Sequence, residues 1–590
     1  METITADIII VGAGGAGLRA AIAAAEVDAN LQIALVSKVY PMRSHTVAAE
    51  GGAAGVIQDH DAFEQHFDDT VSGSDWLADQ DVVQYFVEHC TEEMLRLEHW
   101  GCPWSRKENG SINVRAFGGM KTERTWFAAD KTGFHMLHTL FQTSMKYPSI
   151  KRYDEYFVTN LLTTEEGVQG VLAIEIASGE FVRLLAPSVI IATGGAGRVY
   201  RFNTNGGIVT GDGMSLAYRA GVPLRDMEFV QYHPTGLPGS GILITEACRG
   251  EGGILTNAEG YRYLQDYELG PETPLGEPRN KTMELGPRDR LSQAFWHEEQ
   301  KGRVLNTPRG TAVNLDLRHL GEARINERLP FIRELAKAYL GVDPVHQQIP
   351  VRPTAHYTMG GIQTNIRTET PLPGLYAVGE CASSGLHGAN RLGSNSLAEL
   401  CVLGKVAGEQ AAAFAHQNAR STDAAPDDQA RHSAAAWLAL RTQRGTESMA
   451  AIRQDLADTM ENGVGVYRND AAMEQTRQDI EALKQRYGAM AMKDGSAAFN
   501  TEWLKAIELG FLLDIGEVMV SSAIARKESR GSHQRLDGAE KGWTKRDDNN
   551  YLKHTLAYRR EQGPTEIAYQ DVVITRSAPA KRAYGAAGES

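Results

Sequence analysis

The stretch Ala6–Ala25, ADIIIVGAGGAGLRAAIAAA, constrains the fold of this chain more than any other. An apolar run (Ile8, Ile9, Ile10, Val11) passes into Gly12, Ala13, Gly14, Gly15, Ala16 and Gly17, and then into an Ala-rich segment. This is the strand, tight turn and helix that open a dinucleotide-binding unit. Gly12 permits the turn, Gly14 lets a pyrophosphate approach the backbone, and Gly17 lets helix and strand pack closely. The new helix aims its first N–H groups and the positive end of its dipole at that pyrophosphate. A glycine-rich turn without a ligand would need neither flank, and both are present.

A second apolar run, Ile33–Val36, leads to Ser37 and Lys38. A nicotinamide-binding unit places an acid about 20 residues past its glycines to hold the ribose hydroxyls. Ser37 stands there instead, which argues against a nicotinamide, although Ser37 and Lys38 can still hydrogen-bond a nucleotide. Two later stretches are typical of FAD proteins. Val189–Gly195 is a buried strand ending in a glycine turn. Gly374–Cys381 is a strand followed by Gly-Glu, where Glu380 can hold the ribityl or ribose end of a flavin. Asp212, within Thr210–Gly213, suits either a helix N-cap or a cofactor contact.

At 590 residues the chain exceeds one core, and about three to four domains are expected. A formal net charge of −14 argues against a nucleic-acid partner and leaves no basic stripe for a lipid surface. Five scattered cysteines without a C-x-x-C pair point to a reducing compartment and form no zinc or iron–sulfur pattern, so no metal is expected. The first strand follows Met1 too closely for a signal peptide. No apolar run reaches about 18 residues; Phe511–Ala525 is broken by Asp514 and Glu517. No membrane span is expected.

Helical spacing predicts a helix over Asp81–Trp100, with Val83, Phe86, Met94 and Leu97 as its core stripe and a turn at Trp100–Trp104. His135 and His138 suit a metal or, with no third ligand nearby, packing. Alternation marks Val158–Gly170 and Val171–Leu185 as two antiparallel strands. Gln417–Asp428 reads as a linker. Beyond it Met449, Ile452, Leu456 and Met460, then Met473, Ile480, Leu483 and Tyr487, mark a helical bundle. Asn500–Glu502 would cap a helix running to about Glu528, and Lys553–Tyr558 and Glu566–Ile574 read as paired strands.

A histidine in a loop is ordinarily a polar surface residue. In Arg43–Gly52, however, Ser44-His45-Thr46 followed by Glu50-Gly51-Gly52 resembles the flavin-attachment stretch of the succinate dehydrogenase/fumarate reductase flavoprotein family. Phe117–Met120 and Asp130–Gly133 resemble its loops around the flavin. Gln231–Gly236, Thr245–Gly253, Gly286–Asp289 and Leu315–His319 match its capping domain, and Pro353–Gly361 and Gly388–Leu397 its return to the flavin domain. The resemblance covers essentially the whole chain. It implies an α/β fold: a Rossmann-like FAD-binding domain (1–230 and 353–415), an inserted α+β capping domain (231–352), a helical domain (416–535) and a small C-terminal module (536–590). It implies FAD carried covalently by His45. Further contacts implied are Gly12, Ala13, Gly14, Gly15, Ala16, Ser37 and Lys38, then Ser44, Thr46, Glu50, Gly51 and Gly52. Tyr156, Phe157, Val158, Asp212, Glu380, Arg391, Ser396 and Leu397 complete the set.

Flavins transfer hydride, while the protein supplies orientation and charge. Reducing an alkene also needs cations for the substrate's carboxylates and a proton donor on the face opposite the flavin. Arg249, Arg288 and Arg391, in separate glycine-rich turns, together with His233 and His356, suit a dicarboxylate, because guanidinium forks orient carboxylates as well as holding them. Such positioning can supply about 7–11 kcal/mol of a barrier. By resemblance, His356, Arg391, His233 and Thr245 hold the dicarboxylate, and Arg288 donates the proton, fed by Glu246 and Arg249. Without the resemblance Arg288 reads as a charge clamp, since an arginine pKa is about 12.5 or higher. Cys248 looks like a reactive family cysteine, though reactivity follows the thiolate fraction.

The chain has no iron–sulfur or haem motif, so electrons for an alkene must arrive from another protein. The family implies an iron–sulfur subunit, membrane anchor subunits that oxidise menaquinol, and a flavin-attachment assembly factor. It implies a peripheral place on the cytoplasmic face of a bacterial inner membrane. Glu50 and the Trp100–Trp104 segment look more like the quinol–fumarate reductase branch than the succinate dehydrogenase branch. The implied activity is reduction of fumarate to succinate in anaerobic respiration. The alternatives are succinate oxidation at the same site, an L-aspartate oxidase, which lacks covalent flavin, and a flavin-binding electron carrier, which needs no dicarboxylate clamp.

Overall fold

The computed structural model describes residues 1–418, 427–561 and 563–583. Residues 419–426, the centre of the expected linker, lie outside the described residues.

The strands Ile8–Val11 and Ile33–Ser37 are buried throughout, as apolar runs become in a parallel sheet covered on both faces. They belong to a five-stranded sheet in the order Leu375–Ala377, Ser188–Ile191, Ile8–Val11, Ile33–Ser37, Ile150–Asp154, and every pairing in it is parallel. The helix Gly15–Val27 packs on it and is crossed closely by the helix Asn395–Gln417. A Cβ at Gly408 would overlap the Ala20 carbonyl oxygen, so the closeness of this crossing depends on glycine. The carboxyl ends of the strands, where such sheets bind ligands, all face one crevice.

The neighbours Ser188–Ile191 and Leu375–Ala377 are far apart in sequence, and the chain between them builds a second layer. Val230–Gly236, Ile349–Thr358, Gly310–Asp316 and Ile254–Thr256 form an antiparallel sheet. With the helices Arg288–Gln300 and Pro330–Leu340 it encloses a core of its own, including Leu255, Leu291, Val313, Ile332 and Ile349.

Where two strands were expected over residues 158–185, the chain forms three: Tyr156–Thr164, Gly167–Glu175 and Glu180–Leu185. Gly167 and Gly179, at φ +133° and +76°, turn the chain inside what reads as continuous alternation. Glu2–Thr5 pairs parallel with the last of them.

The helical spacings appear as Met449–Gly463, Asp470–Gly488 and Thr501–Ala525. Ser448, Asn469 and Asn500 cap them, each accepting a backbone N–H three residues on. The third stops at Ala525, short of the expected Glu528, because Arg526 turns away to pair with Glu228 at 2.6 Å and Glu528 at 2.8 Å. Among the described residues no helix is long and apolar enough to cross a membrane.

Lys553–Tyr558 and Glu566–Asp571 pair antiparallel and extend a sheet with Leu224–Arg225, Gly361–Gln363 and Ala382–Ser383. The second strand ends at Asp571 rather than Ile574, since Val573 instead bonds Asp79 and Gln80. His554 locks this hairpin in place, with Nδ1 2.6 Å from Asp226 and Nε2 3.1 Å from Asp79. Burial alone would lower its pKa, but the two carboxylates outweigh burial and raise it to about 9. A folded-state pKa above the unfolded value of 6.5 stabilises fully below pH 6.5, and that contribution is lost as pH rises through 9. The stability gap between the chain and its His554→Gln variant is therefore expected to narrow by on the order of 3 kcal/mol between pH 6 and 10. Tm measured against pH checks this; a gap independent of pH would contradict it.

Candidate active site

The crevice at the sheet's carboxyl end continues under the inserted layer as one cavity of about 1180 Å³. Its floor is the glycine turn. Gly12 has φ +111°, where a Cβ would overlap the Ala192 carbonyl oxygen, and a Cβ on Gly17 would overlap that of Gly12. Gly14 differs: a Cβ there would meet nothing nearer than Thr46 Oγ1 at 3.4 Å. Space is therefore left over Gly14 at the amino end of the helix Gly15–Val27. Thr46 accepts the Gly15 N–H at 3.1 Å and so ties the His45 loop to the turn.

The wall includes Gly12, Ala13, Gly14, Gly15, Ala16, Ser37, Lys38, Ser44, His45, Thr46, Glu50, Gly51 and Gly52. Tyr156, Phe157, Val158, Asp212, Glu380, Arg391, Ser396 and Leu397 line it too. Asp212 is not an N-cap: Gly211, at φ +70°, holds that place. The Asp212 carboxylate instead takes Lys38 at 2.7 Å and the Thr210 hydroxyl at 2.6 Å. Glu380 accepts the Thr358 N–H at 3.0 Å, and burial pushes its pKa up to about 7. Burial and then Asp130 push Glu50 well above the carboxylate range. One Glu50 oxygen and the Ser44 hydroxyl are buried without a protein partner.

His45 Nδ1 accepts the Gly206 N–H at 3.3 Å, and burial lowers its pKa to about 4. The ring is therefore neutral, and Nε2 is the nitrogen left for chemistry.

Beyond His45 the same cavity meets a cationic corner of His233, Thr245, Glu246, Arg288, His356 and Arg391. Gln231 organises it. Its amide oxygen accepts from Arg288 Nη1 at 3.0 Å and Arg391 Nη2 at 3.1 Å, and its amide nitrogen donates to the Arg391 carbonyl oxygen at 2.7 Å. Arg288 also grips Glu246 through Nε at 2.7 Å and Nη2 at 2.6 Å. Arg391 lies 4.4 Å from the Tyr357 ring centroid, and burial, then Arg288, lower its pKa to about 10. Burial would raise the Glu246 carboxyl, yet Arg288 and Arg249 hold it below its usual range.

His233 Nδ1 accepts the Thr235 N–H at 3.2 Å, leaving the proton on Nε2. His356 Nδ1 lies 2.7 Å from the Thr204 hydroxyl. Burial, then Arg288, push both histidines well below their ordinary values, which favours the neutral ring in each. Arg249 is not on the cavity wall, and its reading as a carboxylate clamp is corrected. It is fully buried behind Glu246, with Nη2 3.7 Å from that carboxylate and Nη1 bound to the Glu284 carbonyl at 2.5 Å. Burial, then Glu50, push the Cys248 thiol well above its usual range. His135 lies on the cavity wall beside Phe134, and no cluster of metal ligands occurs among the described residues.

No role was expected for Gln231, nor for Thr204 and Gly206, which meet Nδ1 of His356 and of His45. Their only signal is position in quoted or neighbouring motifs.

The chain matches the FAD binding domain family over residues 7–397 and the fumarate reductase flavoprotein C-terminal family over 453–584. It is 65% identical over 585 residues to the fumarate reductase flavoprotein subunit of Proteus vulgaris, covering 99% of this chain and 97% of that one. A solved E. coli quinol fumarate reductase chain superposes with a TM-score of 0.97 at 63% identity, covering 99% of both. The succinate dehydrogenase flavoprotein subunit of Rickettsia bellii is more distant, 40% identical over 605 residues and 98% of each chain. With both family matches in one chain and this identity along nearly its whole length, the protein belongs to the fumarate reductase flavoprotein family.

Proposed function

We propose that this chain reduces fumarate to succinate, with FAD held covalently at Nε2 of His45. The observation that carries the reading is the juxtaposition in one cavity of a dinucleotide cradle with Arg288 and Arg391, both bound to the oxygen of Gln231. The open space over Gly14 and the unpartnered Ser44 and Glu50 groups fit a bound FAD. Ser37, Lys38 and Asp212 would hold its nucleotide end and Glu380, Ser396 and Leu397 its flavin end. Bound FAD supplies hydride transfer.

The two cavity-lining guanidiniums, Arg288 and Arg391, together with Arg249 buried behind Glu246, stand against the one carboxylate of Glu246, beside two neutral histidines. A dianion neutralises that surplus, whereas a monocarboxylate leaves half of it buried. Arg391, His356, His233 and Thr245 bind the two carboxylates. Arg288 donates the proton to the substrate carbon, and Glu246, paired with it through one hydrogen bond and a second ion-pair contact, returns one from the Arg249 side. Identity of 65% to a fumarate reductase subunit against 40% to a succinate dehydrogenase subunit supports the reductive direction.

On this reading the FAD-binding domain is 1–230 and 353–415 and the cap 231–352, followed by the helical and C-terminal parts. Electrons come from menaquinol through an iron–sulfur subunit. Membrane anchor subunits hold the assembly at the cytoplasmic face of the inner membrane, and an assembly factor assists flavin attachment.

Replacing Arg288 by Ala is expected to lower fumarate turnover by at least about 10³-fold, with fumarate still bound by Arg391 and the histidines. Dye-linked turnover and calorimetric titration check this, and near-normal turnover would remove Arg288 from its role. Acid precipitation is expected to leave yellow colour in the protein pellet of the parent chain and release it from the His45→Ser variant. Colour retained by that variant would move the attachment elsewhere.

A further inference from the structure

The end of the second strand in a dinucleotide-binding unit is where an acid reads the ribose of the nucleotide. This chain has Ser37 and Lys38 there, and its carboxylates arrive from other parts of the fold. Lys38 Nζ lies 2.7 Å from Asp212 Oδ2, 3.0 Å from Thr210 Oγ1 and 2.6 Å from Glu508 Oε1. An ammonium group has three N–H donors, and these three acceptors use them all. Lys38 and Asp212 line the cavity; Glu508 stands behind them, on the helix Thr501–Ala525 of the C-terminal bundle.

That helix is fixed to the same wall by further contacts. Asp514 accepts from Ser215 Oγ and Arg219 Nε, each at 2.7 Å, on the short helix that begins at Asp212. Phe511 meets the cavity-lining Phe157 edge-on, with ring centroids 6.2 Å apart. Glu508 is therefore held at a set distance from Lys38. A lysine stem is flexible, so with Glu508 removed one donor would be freed and the ammonium could swing toward the cavity, over the Phe157 ring 5.4 Å away.

We infer that Glu508 is a positioning residue for the adenosine half of bound FAD: by holding Lys38 it sets the Lys38–Asp212 pair at the ribose, so the helical bundle takes part in cofactor recognition. The inference rests on the FAD reading above and concerns the end of the site remote from the arginines.

The test uses the full-length His45→Ser chain stripped of flavin, with ADP and FMN as separate calorimetric probes of the two halves of the cofactor. Glu508→Gln is expected to weaken ADP about tenfold and leave FMN unchanged within about twofold. In a Lys38→Met background, Glu508→Gln is expected to weaken ADP no further, as coupling through Lys38 requires. ADP binding unchanged by Glu508→Gln would overturn the inference. So would equal losses for ADP and FMN, which mark general support of the fold. A parent chain that binds FMN but not ADP would overturn the reading of this end as the adenosine site and the inference with it, and it would do so before Glu508 is changed.

Discussion

Two guanidinium groups buried side by side repel one another unless something between them accepts hydrogen bonds from both. Gln231 does this for Arg288 and Arg391. Arg288 begins a helix of the inserted layer, Arg391 sits in the returning flavin-domain segment, and Gln231 lies on the strand between them. The shared oxygen thus joins two regions of the fold at the point where substrate would sit. Glu246 cancels one charge, and with Arg249 buried behind it the remaining surplus is one that a dianion can fill. Burial acts on the remaining titratable groups too: it pushes both histidines down and the Cys248 thiol up.

The same economy recurs away from the site. Lys38, in the place of an acid, draws one carboxylate from the helix Asp212–Arg219 and another from the C-terminal bundle. His554 is held between Asp79 and Asp226, which binds the last hairpin to the body of the chain. Arg526 breaks a long helix to reach Glu228 and Glu528. These buried pairs have both partners in place, the condition under which buried charge is tolerated.

Much of this was legible in the sequence. The glycine turn was, because Gly12 and Gly17 sit where a Cβ would overlap a carbonyl oxygen, and no other residue fits. The helical bundle was legible from periodicity, and the cap of its last helix from Asn500, whereas the caps Ser448 and Asn469 were not singled out. The three strands over 156–185 were not, since Gly167 and Gly179 turn the chain within an unbroken alternation. Nor was the depth of Arg249: composition makes it equivalent to Arg288 and Arg391, and only packing places it behind Glu246. Gln231, Thr204 and Gly206 act through partners more than 50 residues away in sequence, which no local pattern encodes. Asp212 fails as a cap because Lys38, 174 residues earlier, claims its carboxylate.

The central claim is that a flavin and a two-carboxylate site share one cavity. Titration of the oxidised flavin absorbance with fumarate, and in parallel with crotonate, tests it most directly. Crotonate keeps the alkene and one carboxylate and lacks the other. The account predicts a saturable spectral shift with fumarate and none with crotonate over the same range. Equal shifts with the two acids, or no shift with either, would contradict it.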